Sequence, residues 1–256
     1  MSEQFSRPVT IGISTKMYLG YVESCAWLEE VVRVAQASTA VQDGRVELFV
    51  APSFPVLETA LRLTRGTPIK VGAQNASDRD TGALTGEVSP AFLAEMGVQL
   101  VELGHAERRR HFGEDDGVTA AKVAAAQRNG LTPLLCVGEL ERTSVEDAAQ
   151  FCLEQVATAG VGATGPAPVL AYEPVWAIGA AEPAGSGHVR AVVARMKAEL
   201  PDGVVVIYGG SAGPGLLPRL QPEVDGLFLG RFAHDPRNLE RVLAEAVAEF
   251  AGFPQR

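Results

Sequence analysis

The feature that most constrains this chain is a rhythm of eight short apolar runs, rich in β-branched residues and separated by helix-length amphipathic stretches. The runs are Val9–Ile13, Val46–Val50, Ile69–Gly72, Leu100–Leu103, Pro133–Val137, Val169–Tyr172, Val204–Tyr208 and Gly226–Leu229. Each is continuously apolar rather than alternating, as in parallel strands buried on both faces. The intervening stretches carry helix boundaries. Ser89-Pro90 opens AFLAEM, which stops at Gly97, and VTAAKVAAAQR stops at Asn129-Gly130, so capping residues stand where helix ends need them. Eight units in 256 residues come to about 32 residues each, the size of a βαβ building block. The pattern predicts one domain over residues 1–256, an α/β fold closed as a (β/α)8 barrel. An open doubly wound sheet uses the same alternation but carries a glycine-rich phosphate fingerprint after its first strand. Here ISTKMYLGY follows, with no GxGxxG.

Composition narrows the function classes. At 46% hydrophobic and 21% charged residues, the chain is neither disordered nor fibrous. A net charge of −9 repels nucleic acid and acidic membrane, so a phosphorylated ligand needs a local site. Three cysteines, Cys25, Cys136 and Cys152, are odd in number and widely spaced, which suits free thiols in a reducing compartment. The opening MSEQFSRPVT has no apolar signal core, and no apolar run approaches a membrane span. The expected location is the cytoplasm, with neither membrane nor nucleic acid as partner.

In a closed α/β barrel the loops after the strands converge on one face, where polar residues are functional candidates. Lys16, Asn75, His105, Glu173, Ser211 and Arg231 follow strands 1, 3, 4, 6, 7 and 8 in that position. Glu173 ends an apolar run before Pro174, which predicts a rim carboxylate with little nearby to neutralise it. His105 precedes AERRR, where a short helix offers its N-terminal dipole and favours a neutral ring. His111, His188 and His234 read as surface or packing residues.

The strings AYEPVWAIG at 171–179, GHAERR at 104–109, GAQN at 72–75, TGEVSP at 85–90 and YGGS at 208–211 resemble the triosephosphate isomerase family in order and spacing, over nearly the whole chain. The resemblance implies a TIM barrel that moves a carbonyl along a small sugar phosphate. Glu173 matches the family's base, His105 its electrophile and Lys16 its cationic partner, with Glu107 as a supporting acid. Gly179, Ser211 and the Gly230-Arg231 pair match the phosphate cradle, and PVWAIGAAEPAG the lid, with an exposed Trp-Ala-Ile tip. The segment from Gly72 to Glu87, with Asn75, Thr85 and Glu87, matches a loop that docks into a second subunit near Lys16, which implies a homodimer. A proton shift asks only for acids and bases, so no metal or organic cofactor is expected.

Three residues depart from the family pattern: Ser14 where an asparagine is usual, Arg231 where a second glycine is usual, and Ala106 for the serine of GHSERR. A serine is shorter than asparagine and frees room beside the reacting carbons. The changes at 14 and 231 resemble the branch assigned to erythrulose phosphates in polyol breakdown. An erythrulose phosphate isomerase is therefore the leading expectation, an ordinary triosephosphate isomerase the second, and a non-catalytic phosphate-ligand binding protein a distant third.

Overall fold

The computed structural model describes residues 7–160, 165–179 and 184–251. Its eight strands are β1 (Val9–Ser14), β2 (Val46–Ala51), β3 (Lys70–Ala73), β4 (Leu100–Leu103), β5 (Thr132–Val137), β6 (Val169–Tyr172), β7 (Val205–Tyr208) and β8 (Gly226–Leu229). They close in sequence order into one parallel barrel, with β8 pairing back to β1. Helices fill the connections, so both faces of every strand are covered and the runs are apolar without alternation. The eight-unit rhythm is thus realised strand for strand, with edges shifted by a residue: β1 runs on to Ser14, and β3 starts at Lys70.

Side-chain parity along each strand separates two cores. Ile11 and Ile13 of β1 pack outward with helix residues such as Trp27, Leu28 and Val31. The inward residues Phe49, Leu100, Leu134, Cys136, Ala171, Ile207 and Phe228 form a separate cluster that plugs the barrel. A side chain at Gly12 has no room, because the Phe49 ring occupies its Cβ position. The outer helices begin on conventional caps: Ser89, Asp115 and Ser144 each accept an N–H from the first turn, an arrangement typically worth about 1 kcal/mol apiece. Trp27 of the Tyr21–Ala37 helix donates its indole N–H to the Ala233 carbonyl at 2.7 Å, which ties the first helix to the loop after β8.

Candidate active site

A cavity of about 650 Å³ opens at the C-terminal ends of the strands and is lined by Ser14, Lys16, His105, Glu107, Glu173, Gly179, Ser211, Gly230 and Arg231, among others. Nine residues chosen from separate stretches of sequence thus meet at one site. Asn75, Thr85 and Glu87 are not among its lining residues.

Lys16 sits in a strained turn after β1. Its φ of 50° is the one positive value outside glycine among the described residues, a conformation that costs on the order of 1–3 kcal/mol unless its surroundings hold it. The holding is visible: the Lys16 carbonyl accepts from Ser53 Oγ at 2.7 Å and from Gln74 Nε2 at 3.0 Å. Its Nζ lies 2.6 Å from Glu107 Oε1. Burial lowers the ammonium pKa, but the Glu107 bond and charge, with Glu173 and Glu102 behind them, raise it overall. Burial in turn raises the Glu107 carboxyl, and Lys16 more than offsets this, leaving it below its usual value. The pair is fully charged at neutral pH.

His105 ends the β4 loop and caps the Ala106–Phe112 helix, its Nδ1 accepting the Glu107 backbone N–H at 3.1 Å. Opposite, Nε2 lies 3.2 Å from Glu173 Oε2. Both contacts are satisfied by a neutral ring carrying its proton on Nε2. Burial lowers the imidazole pKa, while Glu173 and, further off, Glu102 pull it up, to about 9 with Glu173 in place. A proton on Nδ1 would set N–H against N–H at the helix start, so the hydrogen-bond pattern favours the neutral tautomer. The upward pull belongs to the carboxylate's position and weakens when Glu173 turns away.

Glu173 corrects the expectation of a rim carboxylate with little nearby to neutralise it. It is 4% exposed and faces His105. Its backbone N–H is held by the Val137 carbonyl at 2.8 Å, and its side chain lies where a Cβ on Gly209 would stand. Gly209 is therefore needed for the approach of a carboxylate as much as for a turn. The lid tip is corrected as well. Ala177 is buried, and Trp176 is half-buried with its indole N–H on Glu139 Oε1 at 2.7 Å. Glu139 also accepts from the Tyr172 hydroxyl at 3.2 Å, and His188 meets the Trp176 ring edge-on. The first part of the lid is pinned by a buried acid rather than exposed, while residues 180–183 of PVWAIGAAEPAG lie outside the described residues.

The phosphate-side candidates are built differently. Ser211 and Arg231 are exposed, Gly230 is half-buried, and Gly179 has a φ of 71°. The Arg231 guanidinium lies over the Tyr18 ring at 5.6 Å. Asn75, in the same loop as Thr85 and Glu87, is buried and accepts from Lys122 Nζ at 3.0 Å. It supports the loop from inside, whereas Thr85 and Glu87 stand exposed. Ala106 lines an adjoining cavity of about 500 Å³ whose wall includes Glu173.

Sequence reasoning missed four residues: Ser53 and Gln74, which hold the strained Lys16 turn, Glu139 under the lid, and Glu102. Gln74 stood inside GAQN, and Glu102 interrupts the apolar run LVEL. A charged residue within a strand buried on both faces was the signal available. Among the described residues, no group of three or more His, Cys, Asp or Glu side chains is placed to hold a metal ion, and no helix is long and apolar enough to cross a membrane.

The triosephosphate isomerase family model matches residues 9–246. The chain is 48% identical to the L-erythrulose-1-phosphate isomerase of Pectobacterium atrosepticum over 251 residues, 94% of this chain and 96% of that protein. It is 42% identical to the L-erythrulose-1-phosphate isomerase of Rhizobium etli, covering 94% of this chain and 93% of the relative. A triosephosphate isomerase of a Synechococcus species is 35% identical, covering 93% and 96%. The chain belongs to the triosephosphate isomerase family and is an isomerase.

Proposed function

We propose that this family member isomerises a four-carbon ketose phosphate, L-erythrulose 1-phosphate, by moving its carbonyl between two internal carbons. The observation that carries the reading is that the relatives named for this substrate reach 48% identity, against 35–36% for the triosephosphate isomerases compared. Ser14 in the cavity lining supports it. A triose phosphate ends at the reacting carbon, whereas the tetrulose adds a hydroxymethyl group there, and a serine leaves more room than an asparagine while still offering a hydroxyl.

The proposed chemistry uses the groups already assembled. Glu173 turns from His105 to the substrate and takes the proton from the hydroxyl-bearing carbon beside the carbonyl. The electrons close a carbon–carbon double bond and leave charge on the former carbonyl oxygen. His105 Nε2–H stabilises that oxygen and passes a proton between the two neighbouring oxygens, and Glu173 returns its proton to the other carbon. Lys16, held by Glu107, supplies positive charge to the enediolate and the phosphate ester. Gly179, Ser211, Gly230 and Arg231 bind the phosphate, and no cofactor takes part.

Side-by-side kinetics test the substrate. We expect kcat/KM for L-erythrulose 1-phosphate to exceed that for dihydroxyacetone phosphate by about tenfold or more, the scale of one added polar or methylene-sized contact, and Ser14→Asn to narrow the ratio. A preference for the triose overturns the reading in favour of a glycolytic triosephosphate isomerase.

The same reading includes a cytoplasmic homodimer. Exposed residues 81–87 and the fully exposed Met17 beside Lys16 support a partner at the loops after β1 and β3. Sedimentation equilibrium is expected to give twice the 27.0 kDa chain mass, and a fully active monomer at assay concentration counts against it.

A further inference from the structure

Glu102 is a carboxylate in the middle of a barrel. It follows Leu100 of the apolar plug by two residues on β4, so its side chain enters the interior. It is 4% exposed. Its carboxyl accepts the Ser14 hydroxyl at 2.9 Å, a bond between β1 and β4, which are not neighbours in the barrel and so meet only across its interior. Burial raises its pKa against the nearby charges of His105 and Lys16. An acid here costs stability that an aliphatic residue would not, and Val101 and Leu103 beside it are buried aliphatics.

We infer that Glu102 is a positioning residue for substrate choice, which fixes the Ser14 hydroxyl so that its oxygen meets the cavity as an acceptor for the terminal hydroxyl of a four-carbon ketose phosphate. This rests on the substrate reading above and names the device behind it. A serine hydroxyl has one proton and two lone pairs. The proton is spent on Glu102 Oε2. Ser14 lines the cavity and Glu102 does not, so the ligand meets the pair only through Ser14 Oγ. An oxygen that can only accept calls for a donor, and the alcohol on the added hydroxymethyl carbon is one. A triose phosphate lacks that alcohol and leaves the acceptor unpaired, the arrangement through which polar sites reject shorter analogues. An asparagine at position 14 would present an N–H₂ donor as well as an acceptor and would not discriminate in this way.

The test is a double-variant cycle on the whole enzyme with both substrates. In Glu102→Leu and in Ser14→Ala the ratio of kcat/KM for L-erythrulose 1-phosphate over dihydroxyacetone phosphate is expected to fall about tenfold, with the tetrulose value losing more than the triose value. The double variant is expected to fall no further, because Glu102 acts through Ser14. Glu102→Gln keeps an oxygen for the Ser14 proton and is expected to restore the ratio. If Glu102→Leu does not fold, Glu102→Met takes its place, since an unbranched side chain fills irregular space. Equal losses for both substrates, or additive losses in the double variant, assign Glu102 a structural role and overturn the inference. A wild-type preference for the tetrulose that survives all the variants overturns this inference alone. A wild-type enzyme without that preference overturns the substrate reading and this inference with it.

Discussion

The two ends of the cavity are made of different material. At the floor, Ser14, His105 and Glu173, and Glu102 behind them, are each at most 5% exposed and touch in pairs, Ser14 with Glu102 and His105 with Glu173. At the mouth, Ser211 and Arg231 are exposed and glycines flank them at 209, 210 and 230. The floor works through side chains whose charges are felt by their neighbours, because low-dielectric surroundings screen them little. The mouth offers backbone N–H groups and a solvated cation, which water and salt attenuate. Substitutions at the floor should therefore alter chemistry and substrate choice, and those at the mouth only the strength of binding.

The largest effect tests the floor. Glu173→Gln keeps the shape of the side chain and removes its basicity, so kcat is expected to fall by about two decades or more while a phosphate analogue still binds. The same variant removes the main upward pull on His105, and an NMR titration of its ring should show a lower pKa than in the wild type. Near-normal turnover would take Glu173 out of the mechanism, and an unmoved His105 would deny that the two groups feel each other.

Gly209 is the residue that crosses the boundary, since it belongs to the mouth by sequence and to the floor by contact. A methyl there collides with the Glu173 carboxylate. The far end of a side chain can move aside, so Gly209→Ala is expected to fold normally and to lose about tenfold to a hundredfold in kcat, as displaced reacting groups do. A change in KM alone would return Gly209 to the mouth and blur the division.

The division also explains what could be read in the sequence. The barrel was legible because eight continuous apolar runs call for strands covered on both faces and the first is not followed by the glycine-rich fingerprint of an open sheet, and β4, β6 and β8 fall on the expected residues. The site candidates were legible because strand ends converge, which brought Lys16, His105, Glu173, Ser211 and Arg231 into one cavity. Their environments were not. Periodicity gives a residue's place along a strand but not what faces it across the barrel, so Glu173 was expected at the rim with little to neutralise it, where His105 in fact faces it, and Glu102 passed unnoticed. The Lys122 partner of Asn75 was hidden for the same reason, since it is 47 residues away in sequence.

The smallest effect tests the mouth. Arg231 stands where the family usually has a glycine, and its guanidinium rests over Tyr18 with its charge open to solvent. An exposed cation near a phosphate gains little, because water screens it and ordering its side chain costs entropy. Arg231→Ala is thus expected to raise KM about two- to fivefold and to leave kcat unchanged, with the difference shrinking as salt is added. On the proposed reading the phosphate is common to tetrulose and triose and is bound at the end away from Ser14, so the penalty should be equal for both and their kcat/KM ratio unchanged. Parallel measurement of both substrates at low and high ionic strength checks this. A ratio that moves with Arg231 would give the mouth a share in substrate choice, and the separation of binding from discrimination would have to be abandoned.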